Sequence, residues 1–405
     1  MKRVSIVSDS DIYHSHGVNY VTNTFLQGKD ILQNRNYELY RFYDPSKYLE
    51  CDKIESLPQF ANKDKERNVL NKAKKSSIKE GLKSFINNVL FLELIKYYFV
   101  IYRRAKKTVK FFIENDNNQS DIVIFQGYLS AYIAYRYYSK KIRFKSVCIM
   151  HTGCHALDQM PYSYPAIAKC RHAMEKLNNM VKYSLKSVNH LVILSQLAKQ
   201  SFDYIDESKK TIIYNGILEK DAYPRKQVND GKVKLICVAS LQERKGQHLL
   251  IEALSKLPKV YKEKITLNLV GSGNLEYYKA LAKKYKVSEN VEFFGNRSDI
   301  PELLSLNDIF ILASFGEGLP ISIIEAMREG LYIMTTAVGG CPDMINTEMG
   351  TIIPLDPDGI AGKIIEVIDS EEYIHCSLES IARYEQMFTL PVMINKYADL
   401  FDKIS

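Results

Sequence analysis

Two carboxylates, Glu317 and Glu325, stand eight residues apart in the segment ASFGEGLPISIIEAM (313–327). The apolar run IFIL ends just before it, a glycine-rich turn follows, and Pro320 supplies a φ suited to a first helical turn. A strand that ends in such a turn aims free backbone N–H groups and a helix N-terminus at a ligand, where a phosphate can bind. The carboxylates suit hydroxyls, those of a sugar or a ribose. Taken alone, the segment also reads as an ordinary glycine turn carrying solvent-exposed acids. A second constellation lies in VASLQERKGQHLLIEAL (238–254), where Arg244 and Lys245 occupy a short polar loop after a strand. Two adjacent cations there are placed to neutralise a diphosphate and to stabilise it as a leaving group. Gly271 in LVGSGN (269–274) permits close backbone approach, although the full dinucleotide fingerprint is absent. Asn296 and Arg297 follow Gly295 in a similar loop. In the first half, Gly17 precedes a helical stretch, and His151 in CIMHTGCH ends a strand, open to either a structural or a catalytic role.

The elements that must carry these residues are short continuous apolar runs separated by mixed helical stretches. VSIV (4–7), IVIF (122–125), SVCIM (146–150), LVIL (191–194) and TIIY (211–214) read as strands in the first half. KLICVA (234–239), TLNLV (266–270), VEFF (291–294), IFIL (309–312) and YIMTT (332–336) do so in the second. Runs without alternation imply strands covered on both faces, hence parallel sheets. The fold class is therefore α/β, with two Rossmann-like doubly wound domains facing a cleft. The first domain is expected over 1–215, a polar linker over 216–231, and the second domain over 232–382.

Composition narrows the class further. Among 405 residues, 46% are apolar and 25% charged, which excludes a disordered or fibrous chain. Seven scattered cysteines without a C-x-x-C pair support neither a disulfide framework nor a structural zinc site, and His151, Cys154 and His155 carry little weight as metal ligands. The N-terminus reads as a buried strand rather than a signal peptide, and the scattered cysteines fit a reducing cytosol, so a cytoplasmic protein is expected. The net charge of +8 is concentrated between residues 63 and 110, where 14 Lys/Arg face 4 Asp/Glu. That segment reads either as a surface for anionic lipid on the inner face of the cell membrane or as a core helix after a solvated basic loop. Glu93 and Lys96 interrupt its apolar run, so it falls short of a membrane span. No nucleic-acid module accompanies the charge, so no nucleic-acid partner is expected.

The second half resembles the retaining glycosyltransferases of family 4, which have the GT-B fold. The resemblance rests on Glu317 and Glu325 within EGLPISIIEAM, preceded in order by ERKGQHLLIEAL, LVGSGN and VEFFGNRSDIPELL. It is strong over 230–345, loose in the first half through Gly17 and His151, and the tail 383–405 resembles the family's helix that crosses back onto the first domain. It implies that Glu317 and His151 meet the donor sugar. Arg244, Lys245, Gly17, Gly318, Leu319 and Pro320 would hold the diphosphate, and Glu325, Gly271, Asn296 and Arg297 the nucleoside. Ser240 stands where many members have arginine. The implied donor is a nucleotide-sugar, UDP ahead of GDP. The implied acceptor is a glycan or a lipid-linked glycan of bacterial surface polysaccharide, with no metal or cofactor taking part. A nucleotide-sugar epimerase and a non-catalytic nucleotide-sugar-binding module are the rival readings.

Overall fold

The computed structural model describes residues 1–8, 17–42, 52–53, 90–153, 155–158, 160–219 and 231–405. The basic stretch 63–89, most of the expected linker and Cys154 lie outside them. Two sheets divide the chain. In the first, β1 (Lys2–Val7), β2 (Tyr37–Phe42), β3 (Asp52–Lys53), β4 (Ile122–Phe125), β5 (Lys145–Ile149), β6 (His190–Ile193) and β7 (Lys210–Ile212) run in the order β3-β2-β1-β4-β5-β6-β7. Only β3 is antiparallel. The second contains β8 (Val233–Val238), β9 (Ile265–Val270), β10 (Val291–Gly295), β11 (Ile309–Leu312), β12 (Tyr332–Thr336) and β13 (Gly350–Ile353), ordered β10-β9-β8-β11-β12-β13. Each order reverses direction once, between β1 and β4 and between β8 and β11. Ligands of doubly wound sheets sit at such a reversal, beyond the carboxyl ends of the strands. This is the two-lobed GT-B architecture.

The fully buried strands follow from their sequences: every residue of β4, β9, β11 and β12 is buried. Sequence reasoning passed over β2, whose YELYRF alternates because it lies near the sheet edge, and β13, whose GTII is short and begins with glycine. The closing helix Leu390–Ile404 starts at the Thr389 N-cap. Residues 377–387, part of which the sequence joined to it, form a separate helix with Tyr384 in the second domain's core. The closing helix buries Leu390, Met393, Ile394, Tyr397, Ala398, Leu400 and Phe401 against β1, β2 and β4. Seven such side chains contribute on the order of 10 kcal/mol, more than enough to hold one helix across the domain boundary. The two strand-like crossings lie side by side, Ile217 N–H donating to Phe388 O and Leu390 N–H to Ile217 O.

Helical residues 90–115 begin as Leu90–Lys96, widen into a π-helical turn at Tyr97–Tyr102 and continue as Arg103–Asn115. The later part buries Ala105, Thr108, Val109 and Phe112, as a core helix would. The earlier part leaves large apolar side chains outside. Among the described residues, no helix is long and apolar enough to cross a membrane.

Candidate active site

The loops at the carboxyl ends of β8 and β11 meet where the second sheet reverses. Gly246, at φ +70, closes the β8 loop, and a Cβ there would overlap the carbonyl oxygen of Ala313. Only glycine permits this contact, which presses the Arg244–Lys245 turn onto the β11 loop. Phe315 N–H donates to Arg244 O at 2.9 Å, tying the two loops through their backbones. Glu317 is then reached from three sides. Lys245 Nζ lies 2.5 Å from its Oε1, Arg244 Nη1 lies 3.8 Å from its Oε2, and Ser314 Oγ donates to Oε1 at 2.6 Å. Arg244 Nη1 also donates to Gly316 O, and Thr336 Oγ1 holds Ser314 O at 2.7 Å. The Glu317 side chain is 7% exposed and those of Lys245 and Arg244 are 15% and 17%, so these charges interact in a largely desolvated place. Two cations against one anion leave the cluster a net positive charge, suited to a further anion.

The first domain meets this cluster edge to edge. A Cβ on Gly318 would overlap the carbonyl oxygen of His151, and one on Gly153 would overlap that of Glu317. Behind them, Gly340 N–H donates to Gly318 O at 2.7 Å. Gly339, at φ +54, abuts Glu317 O so closely that no side chain fits. Gly339→Ala should therefore cost about 1–3 kcal/mol of stability through strain and displacement of the turn. Gly316, with nothing within 4 Å of an added Cβ, should accept alanine within about 0.5 kcal/mol. Thermal melts of the two variants side by side would show this difference, and equal melting temperatures would refute the steric account.

His151 Nε2 lies 2.5 Å from Gln126 Oε1, so the neutral ring donates there and leaves Nδ1 as an acceptor. Burial pushes its pKa down to about 4, so the ring is uncharged near neutrality. Glu325 sits on the helix Ile321–Arg328, with Pro320 as the extended residue capping it rather than inside its first turn. Desolvation raises the Glu325 carboxyl to about 7, opposed by Arg328 and reinforced by Glu329. Among the described residues no acceptor takes the N–H of Gly318 or Leu319. Leu319 O accepts from Asn215 Nδ2 of the first domain at 3.3 Å.

Other expected residues lie at the same sheet ends but farther apart. Gly271, at φ +149, backs onto Ala239 beyond β9. Asn296 and Arg297 are exposed beyond β10 at the sheet edge, where Arg297 Nε donates to Asp299 at 2.8 Å. Gly17 is the first residue of the helix Gly17–Gln27 beyond β1. Sequence reasoning missed Gln126, Ser314, Thr336 and Asp343. Asp343 joins the domains by accepting from Gln196 N–H at 2.7 Å and Tyr214 Oη at 3.2 Å. The pair Gly339–Gly340 after the YIMTT strand was a usable signal, since consecutive glycines after a buried strand mark close backbone approach. A cavity of about 590 Å³ opens elsewhere, in the first domain, lined by His155, Asn178, Lys182 and Tyr204 among others. The charged cluster and its place at the strand reversal, rather than cavity size, mark the site. Among the described residues no three His, Cys, Asp or Glu side chains converge as a metal site.

Residues 219–381 match the family model described as glycosyl transferases group 1. The O-antigen biosynthesis glycosyltransferase WclY of Escherichia coli is 27% identical over 227 residues, covering 53% of this chain and 61% of that protein. The lipopolysaccharide glucosyltransferase WaaG of Escherichia coli strain K12 is 37% identical over 120 residues, covering 29% of this chain and 32% of that protein. The matches thus span less than two thirds of these curated relatives. The structure of Anabaena Alr3699/HepE in complex with UDP superposes over 100% of both chains with a TM-score of 0.66 at 16% identity, a likeness of fold.

Proposed function

We propose that this GT-B chain is a retaining glycosyltransferase that moves a sugar from a nucleotide-diphosphate sugar to a hydroxyl of a glycan or lipid-linked acceptor. The observation that carries the proposal is the convergence of Lys245 and Arg244 on Glu317 at the reversal of the second sheet, facing His151. The group 1 match over the same residues supports it. Relatives named for O-antigen and lipopolysaccharide synthesis favour bacterial surface polysaccharide as the setting. The UDP bound to the Anabaena neighbour favours UDP over GDP as the carrier.

In this reading the bond from the anomeric carbon to the diphosphate oxygen breaks, and its electron pair stays on the diphosphate. Lys245, Arg244 and the N–H groups of Gly318 and Leu319 stabilise that charge. The acceptor hydroxyl attacks from the same face and gives its proton to the departing diphosphate oxygen. Configuration is thereby retained without a covalent sugar–enzyme bond. Glu317 holds the cations in place before the donor arrives and faces the positive charge that develops on the sugar. His151, uncharged and with Nδ1 free to accept, orients a sugar hydroxyl; a ring with a pKa of about 4 is a poor general base near pH 7.

Glu325 is assigned to the ribose hydroxyls, and this gives a pH dependence. Its carboxyl must be ionised to accept hydrogen bonds from both hydroxyls, so donor KM should rise as pH falls below about 7. Its folded pKa lies above the unfolded value of 4.5, so its contribution to stability is full below 4.5 and lost as pH rises through 7. Glu325→Gln should therefore stabilise the protein at pH 8, by roughly 1–3 kcal/mol, while raising donor KM. Melting curves at pH 5 and 8 with donor kinetics would test this; destabilisation at pH 8 would refute it.

Proton NMR of a reaction with a UDP-sugar and acceptor extract tests the reaction class. Retention predicts that the transferred sugar keeps the donor's anomeric coupling. An inverted product would refute the retaining mechanism. Interconversion of the nucleotide sugar without acceptor would identify an epimerase, and an unchanged donor a binding module.

A further inference from the structure

The helical residues 90–110 carry one continuous outer face whose first half is apolar and whose second half is cationic. Phe91, Leu94, Ile95, Tyr98, Phe99 and Val100 are all exposed, from 39% at Ile95 to 68% at Phe91. Their spacing of three and four residues continues into Arg103, Lys106, Lys107 and Lys110, which are exposed too. Glu93 interrupts the apolar run in the sequence but not on this surface. Its side chain is buried, and its Oε2 accepts from Ile167 N–H at 2.8 Å. Tyr97 packs edge-on against Tyr164, with ring centroids 5.6 Å apart, and fixes the same rotation. The outer face over 91–110 is thus free of acids, with Glu114 one turn further on, 3.7 Å from Lys110.

We propose that this face docks on an anionic lipid bilayer, with the 91–100 side chains in the headgroup–acyl boundary and the four cations on lipid phosphates. An exposed apolar stripe of this size on a soluble surface needs a cover. The charge pattern selects which cover. Two copies packed with their helices parallel about a two-fold axis would juxtapose apolar surface but crowd their cations together. Antiparallel packing would cover the apolar halves but leave the cations without an anionic partner. A bilayer bearing phosphatidylglycerol satisfies both halves at once. Aromatic residues suit the position, since Tyr98 stacks on the half-buried Tyr102 with centroids 5.5 Å apart and exposes a ring of the kind that partitions to interfaces. Because Glu93 and Tyr97 tie the stripe to 164–167, docking places the bilayer beside the segment that leads from His151. The docking itself stands whether or not the chain transfers sugars.

The chain has no tryptophan, so a single introduced indole reports its own surroundings. Phe99→Trp probes the stripe, and Tyr277→Trp, at a similarly exposed site in the second domain, serves as control. Adding vesicles of phosphatidylglycerol and phosphatidylcholine should shift the emission of the Phe99→Trp protein to the blue. Pure phosphatidylcholine should do so far less, and the Tyr277→Trp protein should not respond. Combining Phe99→Trp with Lys106→Gln, Lys107→Gln and Lys110→Gln should lower the partition constant about a hundredfold, and 0.5 M salt should act in the same direction. No shift with anionic vesicles, or equal shifts at both probes, would overturn the proposal. A blue emission without vesicles would do the same: if it fades on dilution, a second copy covers the stripe, and if it persists, the chain itself does.

Discussion

Glu317→Gln is expected to lower sugar transfer by about two to three decades while tightening the binding of nucleoside diphosphate. The substitution keeps shape and removes charge. In the wild type, Lys245 Nζ sits 2.5 Å from Glu317 Oε1 and Arg244 Nη1 3.8 Å from Oε2. A donor diphosphate must compete with this carboxylate for the cations, so an amide in its place leaves them freer for phosphate. The transition state, however, loses the negative charge facing the sugar as positive charge grows on the ring. Electrostatic groups of this kind are worth about 3–4 kcal/mol, or two to three decades in rate, and more where they also place their neighbours. Stability should show the mirror image. Removing the anion from two largely buried cations costs about 3–5 kcal/mol, so the unliganded variant should melt early and recover strongly on adding UDP. Calorimetric titration with UDP, set beside turnover, would read both signs. Weaker UDP binding together with lost turnover would show that Glu317 supports the phosphate site as a whole rather than opposing it.

The second large effect is expected at Lys245. Lys245→Ala should reduce turnover by about two to three decades and raise donor KM, because Nζ is the cation that reaches deepest into the cluster. Arg244→Ala should cost less in rate, because its Nη1 is shared with the Gly316 carbonyl and so serves partly to hold the turn. Lys245→Arg should not rescue activity, since a planar guanidinium cannot occupy the short contact that a compact ammonium makes. Ser240 sharpens this expectation. Where many members of the resembled family carry a further arginine, this chain has a hydroxyl, so Lys245 and Arg244 supply the side-chain cations of this loop without it. Steady-state kinetics on the three variants would separate the roles. Equal losses for Lys245→Ala and Arg244→Ala would mean that the pair acts only as a unit.

What the sequence disclosed and what it hid follow from range. Continuous apolar runs such as IFIL and IVIF had one reading, because strands buried on both faces need no partner to be recognised. The edge strand GTII and the alternating YELYRF lack that signature. Arg244, Lys245 and Glu317 stood out by type and by position after a strand. That the carboxylate and the cations bind one another was invisible, since Lys245 and Glu317 stand 72 positions apart and only the reversal of strand order brings them together. Gln126 could not be singled out at all, because an amide after a strand has no distinguishing pattern until His151 is seen against it. Glu93 misled in an instructive way: it reads as a break in an apolar surface, yet it points inward and leaves that surface whole.

The most direct test of the central claim is to follow label from a panel of UDP- and GDP-sugars into a lipid and glycan extract, with release of nucleoside diphosphate measured in the same samples. The account predicts that one donor transfers its sugar in equal molar amount to the diphosphate released, and that Glu317→Gln and Lys245→Ala abolish both signals. Diphosphate release with no label in any acceptor, or no turnover of any donor, would contradict it.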